Sequence, residues 1–390
     1  MRGFSLLSSI LLLVSSAAAK STMVGIETET ESRGVSVLMD DCQTIDEYEV
    51  YTVAITKKCR LFTAALTPNE QQGYIDAVWC LRSLPSALPN EEYPGVQDRF
   101  DDFAATHINY TAVIHRNGVL LPWHRHYLYL WETALRDECG YNGTVPYWDW
   151  TQNSDLLTNP IFNTAQDPAI SLTLSGDGAY NETALALTTP TDPPLPPGNG
   201  GGCVLTGPFA DWPVNMGPFS ADQVYPYAPP PENAFAYHPH CLQRNLQSAV
   251  VQYFNNETVV DALLTAPAMD AFLDLLDRRD GGLGAHGAGH NAVGPVMQDV
   301  FASPQDPVFM LHHGMIDRVW ADWQRPAGFD GGVDGARLTA LNGTGVFLNP
   351  PDAPLVTLDT VIEFGVLDRP RRIGELMDVR GGRYCYRYEE

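Results

Sequence analysis

Histidines are the residues of this chain best placed to do chemistry. Between Ser303 and Trp320 the sequence reads SPQDPVFMLHHGMIDRVW, with His312 and His313 adjacent, Asp317 four residues after the second, and apolar flanks that would carry the pair into a packed interior. Upstream, His286 and His290 are spaced i and i+4, and His107, His115 and His124 fall within eighteen residues. Six of the ten histidines therefore sort into two trios: His107, His115 and His124, then His286, His290 and one of the final pair. Neutral imidazole suits zinc, copper, nickel and iron, whereas magnesium and calcium want oxygen donors. A dizinc or di-iron centre would usually recruit a carboxylate into its ligand set, and no bridging Asp or Glu stands out, so copper is the better choice. Two trios that each leave one side of a metal open could hold a diatomic molecule between them, which points to oxygen chemistry.

The elements that must position these rings are mostly helical. Asp98 to Asn109 predicts a helix that puts Phe103 and His107 on one face at i and i+4. Asn117-Gly118 is a turn signal and Pro122 disfavours helix just before it, so residues 117–122 are expected to loop and His115 to come from a loop. Beyond Pro122, WHRHYLYLWETALRDEC reads as a long amphipathic helix carrying His124, Leu128, Trp131 and Leu135 inward. His126 points about 200° around that helix, to the surface or behind the ligands. The segment GGLGAHGAGHNAVG, Gly281 to Gly294, sets propensity against function. Each glycine costs about 1 kcal/mol in a helix interior, yet His286 and His290 need one helical turn to face the same way. A shared metal could supply the stability; the alternative is a flexible loop with two idle histidines.

Elsewhere, Thr67 and Glu70 form a capping-box signature within Cys59–Leu84, which has helical spacing in two parts. Leu242–Phe254 and Met269–Arg278 are further helix candidates, and Glu47–Ile55 a strand candidate. Tyr147-Trp148-Asp149-Trp150 is expected to pack under the site, and His238-Pro-His240 reads as a loop feature. From residue 152 to 231 proline, glycine, serine and threonine dominate, a long irregular excursion between two helical halves. The tail ending in Arg383-Tyr384-Cys385-Tyr386-Arg387-Tyr388 is expected to pair with or pack against the body.

Residues 1–19 have the layout of a secretory signal peptide, with Arg2 before the apolar run Leu6–Val14 and a small-residue end, Ala17-Ala18-Ala19. That run is too short to span a bilayer and no later stretch has eighteen uninterrupted apolar residues, so a membrane protein is not expected. The remainder, 20–390, is expected to be one domain, secreted and extracellular. A formal charge of −24 argues against a nucleic-acid partner, which would require clustered cations. Seven cysteines suggest disulfides with one cysteine left over, and sequons at Asn109, Asn142, Asn181, Asn256 and Asn342 suggest a glycoprotein. The site at Asn109 is expected to be too enclosed for use.

With these residues in view, the chain resembles the type-3 dicopper proteins of the tyrosinase and catechol oxidase family, in particular short fungal polyphenol oxidases. The resemblance is carried by His115 with LPWHR at Leu121–Arg125, by His286-x-x-x-His290, and by Asp306-Pro-Val-Phe-Met-Leu-His-His-Gly-Met-Ile-Asp317. It spans roughly Cys59 to Tyr388. It implies a mainly α fold, a central helical bundle with long loops and a few short strands, holding two copper ions. It implies that His107, His115 and His124 hold one ion and His286, His290 and His313 the other, since the family's ligand is the second histidine of the pair. His312 is then a neighbour near the substrate, Phe309 an aromatic over the second copper, and Asp317 the acceptor that orients a ligand imidazole.

The activity implied is oxidation of o-diphenols to o-quinones by O2, with hydroxylation of monophenols in some members. For hydroxylation, the resemblance implies that Asn291 and a water held by the upstream carboxylate Asp277 would deprotonate the monophenol; the bland alternative for Asp277 is a solvated helix end. No cysteine lies between Asn109 and His124, so the thioether that many members form there is not expected. Tyr386-x-Tyr388, with Arg60 as its partner by resemblance, nearly ends the chain, so no C-terminal lid domain is expected. The rivals are a haemocyanin-like reversible oxygen carrier, a dizinc hydrolase and a structural glycoprotein.

Overall fold

Thr67 starts the first long helix in the way its spacing predicts. Its hydroxyl accepts from the Glu70 N–H at 3.4 Å, and the Glu70 carboxylate accepts from the Thr67 N–H at 2.7 Å, so two otherwise orphaned donors are satisfied at the head of α1, Pro68–Ser83. A computed structural model describes residues 58–60, 66–164, 173–184, 191, 194–219, 230–278, 282–325, 335–381 and 383–388. All of them fall in one compact unit, residues 33–390. The expected signal peptide and the strand candidate Glu47–Ile55 lie outside the described residues.

Two more helices complete the first half. Asp98 caps α2, Arg99–Ile114, by accepting the Asp101 N–H at 3.1 Å. Helix α3, Leu120–Cys139, ends at Gly140, whose φ of 69° is the left-handed conformation glycine adopts without cost. Its start corrects the expectation of a loop through Pro122. A proline in the first helical turn forfeits no intrahelical bond, so α3 begins two residues earlier, at Leu120. Phe100 and Phe103 of α2 meet Trp131 of α3 edge-on at 5.5 and 5.1 Å, and a Cys80–Cys139 disulfide ties α1 to the end of α3.

In the second half come α4 (Ser248–Phe254), α5 (Glu257–Leu264), α6 (Met269–Asp277), α7 (Ala285–Val293), α8 (Pro295–Gln298), α9 (Val308–Gln324) and α10 (Gly335–Leu338). The helix expected over Leu242–Phe254 exists only from Ser248. Ahead of it, His240–Cys241 (β5) pairs antiparallel with Pro213–Val214 (β4), and Gln243 bridges to Cys203, so the ladder takes that backbone. The strand β2 (Gly178–Tyr180) pairs with β3 (Gly201–Val204), and β6 (Val361–Ile362) with β7 (Arg371–Arg372). Cys59 and Arg60, read as the start of a helical segment, belong instead to the strand β1 (Lys58–Arg60), parallel to β8 (Tyr386–Tyr388), with Arg60 in register with Tyr388. The tail thus pairs with the body.

The stretch 152–231 is more than an irregular excursion. Leu174, Val204, Phe209 and Trp212 are buried in the main core, the Trp212 indole donates to the Gln305 carbonyl at 2.8 Å, and Cys203 is bridged to Cys241. The described residues are predominantly helical with four two-stranded sheets, the mainly α architecture expected. No described helix is long and apolar enough to cross a membrane. The Asn109 side chain, expected to be enclosed, is exposed on α2.

Candidate metal centre

Four helices, one of them with its C-cap, deliver the six rings. Helix α2 carries His107 and its C-cap is His115; α3 carries His124; α7 carries His286 and His290; α9 carries His313. The glycine-rich segment is helical where it must be, so the two α7 histidines share a face. His107, His115 and His124 bring one nitrogen each within 4.8 Å of one another, and His286, His290, His312 and His313 form a second such group. The groups face each other: His115 lies parallel to His286 at 6.1 Å between ring centres, and His124 stacks on His313 at 4.3 Å.

Which nitrogen each ring offers follows from its hydrogen bonds. A carbonyl oxygen only accepts, so a ring nitrogen bonded to one must carry the proton, and the other nitrogen is left with its lone pair. His107 donates from Nδ1 to the Phe301 carbonyl at 2.7 Å, His115 to Thr111 at 3.0 Å, His124 to Leu120 at 2.8 Å and His290 to Met297 at 2.8 Å. His286 donates from Nδ1 to the Asp277 carboxylate at 3.0 Å. All five rings therefore turn a bare Nε2 into the space between the groups.

Those lone pairs need a cation. The Nε2 atoms of His107 and His124 are buried without a hydrogen-bond partner, and the bare Nε2 atoms of His286 and His290 lie 3.2 Å apart, with His313 Nε2 at 3.2 Å from His290. Proton binding does not fill the need, because burial and the neighbouring rings hold His107, His124, His290 and His313 well below the ordinary histidine range and bring His115 down to about 4. An all-imidazole donor set on each side fits a copper ion.

The adjacent pair is resolved by the same reasoning. His312 donates from Nε2 to the His286 carbonyl at 2.9 Å, which turns that nitrogen away from the trio, while His313 presents its Nε2 to His290. His312 is fully buried beside Trp150 and Trp148, at 5.4 and 6.1 Å between ring centres. It packs so closely on α7 that a Cβ at Gly289 would lie 2.0 Å from its Cε1. The substrate contact expected for His312 is corrected: it locks α9 to α7 from behind the ligands, over the aromatic cluster expected under the site.

Other placements also differ from expectation. Asp317 does not hold a ligand imidazole. Its carboxylate pairs with Arg125 at 2.6 Å and accepts the Tyr386 and Tyr388 hydroxyls, because the helical turn after His313 points it at α3 and β8. Phe309 is fully buried between the trios, stacked on His313 at 4.2 Å and edge-on to His107 at 5.2 Å, so it floors the site on its interior side. Asp277 is not a solvated helix end: besides His286 it accepts the Arg116 N–H at 3.1 Å. Burial alone would raise its carboxyl, but His286, by charge and hydrogen bond, and Arg116 outweigh it and hold the group below the usual range. The Asn291 side chain, partly open beside His290, donates to the Gly287 carbonyl at 2.8 Å in its own helix. His126 is buried, donating to Asp368 from Nε2 at 2.7 Å, with Tyr384 Oη at 3.0 Å from Nδ1. His238 and His240 lie outside both clusters.

Residues that sequence reasoning passed over include the carbonyls of Phe301, Thr111, Leu120 and Met297, which a side-chain pattern cannot reveal. Gly289 and Arg125 were visible, the latter inside LPWHR, but their partners were not. Arg125 is completely buried, bonded to Asp317, to Gln324 at 3.1 Å and to the Met377 carbonyl at 2.5 Å, with its guanidinium over Trp320.

Comparison with known proteins agrees with this geometry. Residues 97–326, which span all six ligand candidates, match the common central domain of tyrosinase. The chain is 66% identical over 331 residues to the N-acetyl-6-hydroxytryptophan oxidase ivoB of Emericella nidulans, covering 83% of this chain and 90% of that protein. It is 46% identical over 334 residues to tyrosinase P of Aspergillus terreus, covering 83% and 89%. Among solved structures, a mutant form of the polyphenol oxidase from Thermothelomyces thermophila is similar at a TM-score of 0.75 and 38% identity over 86% of this chain and 89% of that one. The two imidazole groups are accordingly a dicopper oxidase centre, and the chain belongs to the tyrosinase family.

Proposed function

We propose that the chain is a secreted polyphenol oxidase that converts o-diphenols to o-quinones, two diphenols and one O2 giving two quinones and two waters. The observation that carries the reading is the pair of facing imidazole trios whose bare Nε2 atoms converge. His107, His115 and His124 would hold one copper and His286, His290 and His313 the other; the copper pair, when bound, supplies oxygen binding and electron transfer.

The chain's own residues set the approach. His107 and His313 are 0% and 1% exposed, while His115, His286 and His290 are 4%, 5% and 9% exposed, so a phenol arrives along the face shared by His115 and α7. Phe309 closes the opposite side and excludes water from the interior of the site. Asp277 holds His286 in one tautomer through Nδ1, which keeps Nε2 turned to the metal. Diphenol oxidation is the activity we assign; hydroxylation of monophenols would call in addition on Asn291 and a water held by the Asp277 carboxylate. The 66% identity to an oxidase of an N-acetylated hydroxytryptophan points to hydroxylated aromatics with an N-acyl amino-acid side chain. Disulfides at Cys80–Cys139 and Cys203–Cys241, with Cys385 also disulfide-bonded, support the secreted setting.

Oxygen uptake by copper-loaded protein tests the reading. Sustained uptake with 4-methylcatechol, and little with 4-methylphenol, is expected. A single stoichiometric uptake that stops would instead indicate an oxygen carrier, and zinc without copper on metal analysis a hydrolase.

A further inference from the structure

We propose that Asp299 is a positioning residue of the first trio, acting on His107 through the peptide unit between Phe301 and Ala302. The inference goes beyond the choice of substrate: it concerns how the fold aims a copper ligand, and it holds whichever phenol is oxidised.

The stretch Met297–Phe301 leaves α8 and carries a carbonyl for each trio. His290 donates from Nδ1 to Met297 at 2.8 Å, and His107 to Phe301 at 2.7 Å. His107 is fully buried on α2, far away in sequence, so the direction of its ring depends on where this turn puts one oxygen. Every residue has a backbone carbonyl. What aims this one must be sought in the side chains around the turn.

The Asp299 carboxylate does the aiming. Its Oδ1 accepts the Phe301 N–H at 2.9 Å and the Ala302 N–H at 3.0 Å. The Ala302 N–H and the Phe301 carbonyl belong to one planar peptide unit, and among the described residues only Gly217-Pro218 is cis. A trans peptide directs its N–H and its C=O to opposite sides. With the N–H held on Asp299, the carbonyl is turned the other way, to the His107 ring. The Met297 carbonyl is fixed differently: the Gln298 N–H, which shares its peptide plane, donates to the Gly294 carbonyl at 2.8 Å. Asp299 therefore governs the first trio and leaves the second to α8.

Asp299 is itself braced. Its Oδ2 accepts the Phe219 N–H at 2.6 Å, and the Phe219 ring meets Phe301 edge-on at 5.5 Å. Behind Phe219, the Gly217 carbonyl accepts from His238 Nδ1 at 2.8 Å, and a Cβ at Gly217 would lie 3.2 Å from Asp299 Oδ2. Burial pushes the Asp299 carboxyl up to about 6 against the pull of its three N–H groups, so at neutral pH the turn holds the ionised, accepting form. Hydrogen bonds to a charged acceptor are the strong ones.

The test reads one trio at a time, by competition with a chelator. In a His313→Ala background, where the first trio alone is complete, Asp299→Ala is expected to weaken copper binding by about 10–100-fold. In a His107→Ala background, where the second trio alone is complete, the same change should leave the affinity nearly unaltered. Asp299→Asn, whose amide oxygen still accepts from Phe301 and Ala302, should recover most of the loss at the first trio while being less stable than wild type, because its NH2 then faces the Phe219 N–H. Equal losses in the two backgrounds, a loss in Asp299→Asn as large as in Asp299→Ala, or wild-type affinity of Asp299→Ala at the first trio each overturn the proposal. Coupling is reciprocal, so a measurement that leaves Asp299 in place decides the matter even if Asp299→Ala fails to fold. Loading copper into the His313→Ala protein should slow hydrogen exchange at the Phe301 and Ala302 amides by about fivefold or more relative to those of α1; no slowing there overturns the proposal.

Discussion

The carboxylate of Asp277 accepts the Nδ1–H of His286 at 3.0 Å, and so the end of α6 sets the orientation of a ligand on α7. Because the same carboxylate holds the backbone beside His115, one residue braces both trios. Removing it frees the His286 ring to rotate and to exchange tautomers. Asp277→Ala is expected to weaken copper binding at the second trio by about 10–100-fold, with Asp277→Asn, which keeps an acceptor, much closer to wild type. Competition with a chelator measures this, and wild-type affinity in Asp277→Ala would refute the bracing role.

The two neighbours on α9 should separate cleanly. His313→Ala removes a ligand and is expected to reduce copper from two ions per chain to about one. His312→Ala removes the bond to the His286 carbonyl and leaves a cavity, so it should lower stability while its copper content stays nearer two. Metal analysis of purified variants checks the contrast; the reverse pattern would reassign the ligand.

Arg125 and Asp317 form a buried ion pair joining α3, α9 and, through two tyrosine hydroxyls, β8. Arg125→Met strands the carboxylate and should cost about 3–5 kcal/mol, whereas the double change Arg125→Met with Asp317→Asn should recover part of it. Urea denaturation midpoints read both. An Arg125→Met variant as stable as wild type would show that the pair contributes nothing.

Burial holds the trio imidazoles below their ordinary range, His115 at about 4, and the sign of the pH effect follows. In the unfolded chain these rings take up protons below about 6.5, which the folded chain resists. The stability they contribute is therefore complete above about 6.5 and lost as pH falls towards 4, at about 1.4 kcal/mol per pH unit for each proton difference. Asp98 and Asp299, whose carboxyls burial pushes up to about 6, act in the opposite sense. The difference between copper-free and copper-loaded protein isolates the rings, since a ring protonated in the copper-free fold would have to lose its proton to bind metal. The melting-temperature gap should stay nearly constant from pH 7 to 5 at fixed copper concentration; a gap that narrows as pH falls would contradict neutral, metal-facing imidazoles.

How far the sequence could be read depends on how narrowly chemistry restricts a position. Imidazole is one of few donors copper accepts, so His107, His115, His124, His286 and His290 were legible from type and spacing, and resemblance separated His313 from His312. The capping pair Thr67 and Glu70 was legible because its chemistry is local. What lay behind the ligands was not. Four rings are steered by backbone carbonyls, which every residue possesses, and the turn from His313 to Asp317 fixes a direction along α9 without saying that Arg125 and two tyrosines occupy it. Pro122 misled because one residue both discourages helix before it and sits comfortably in a first turn. The long Pro- and Gly-rich stretch concealed Phe209 and Trp212, which find their core partners only across the fold.

The central claim is that two metal ions lie side by side, each bound by three imidazoles. Anomalous diffraction at the copper edge from crystals of copper-loaded protein tests it most directly. Two peaks are predicted, one bound by the Nε2 atoms of His107, His115 and His124 and the other by those of His286, His290 and His313. A single peak, or a peak bound by His312 or by a carboxylate, would contradict it.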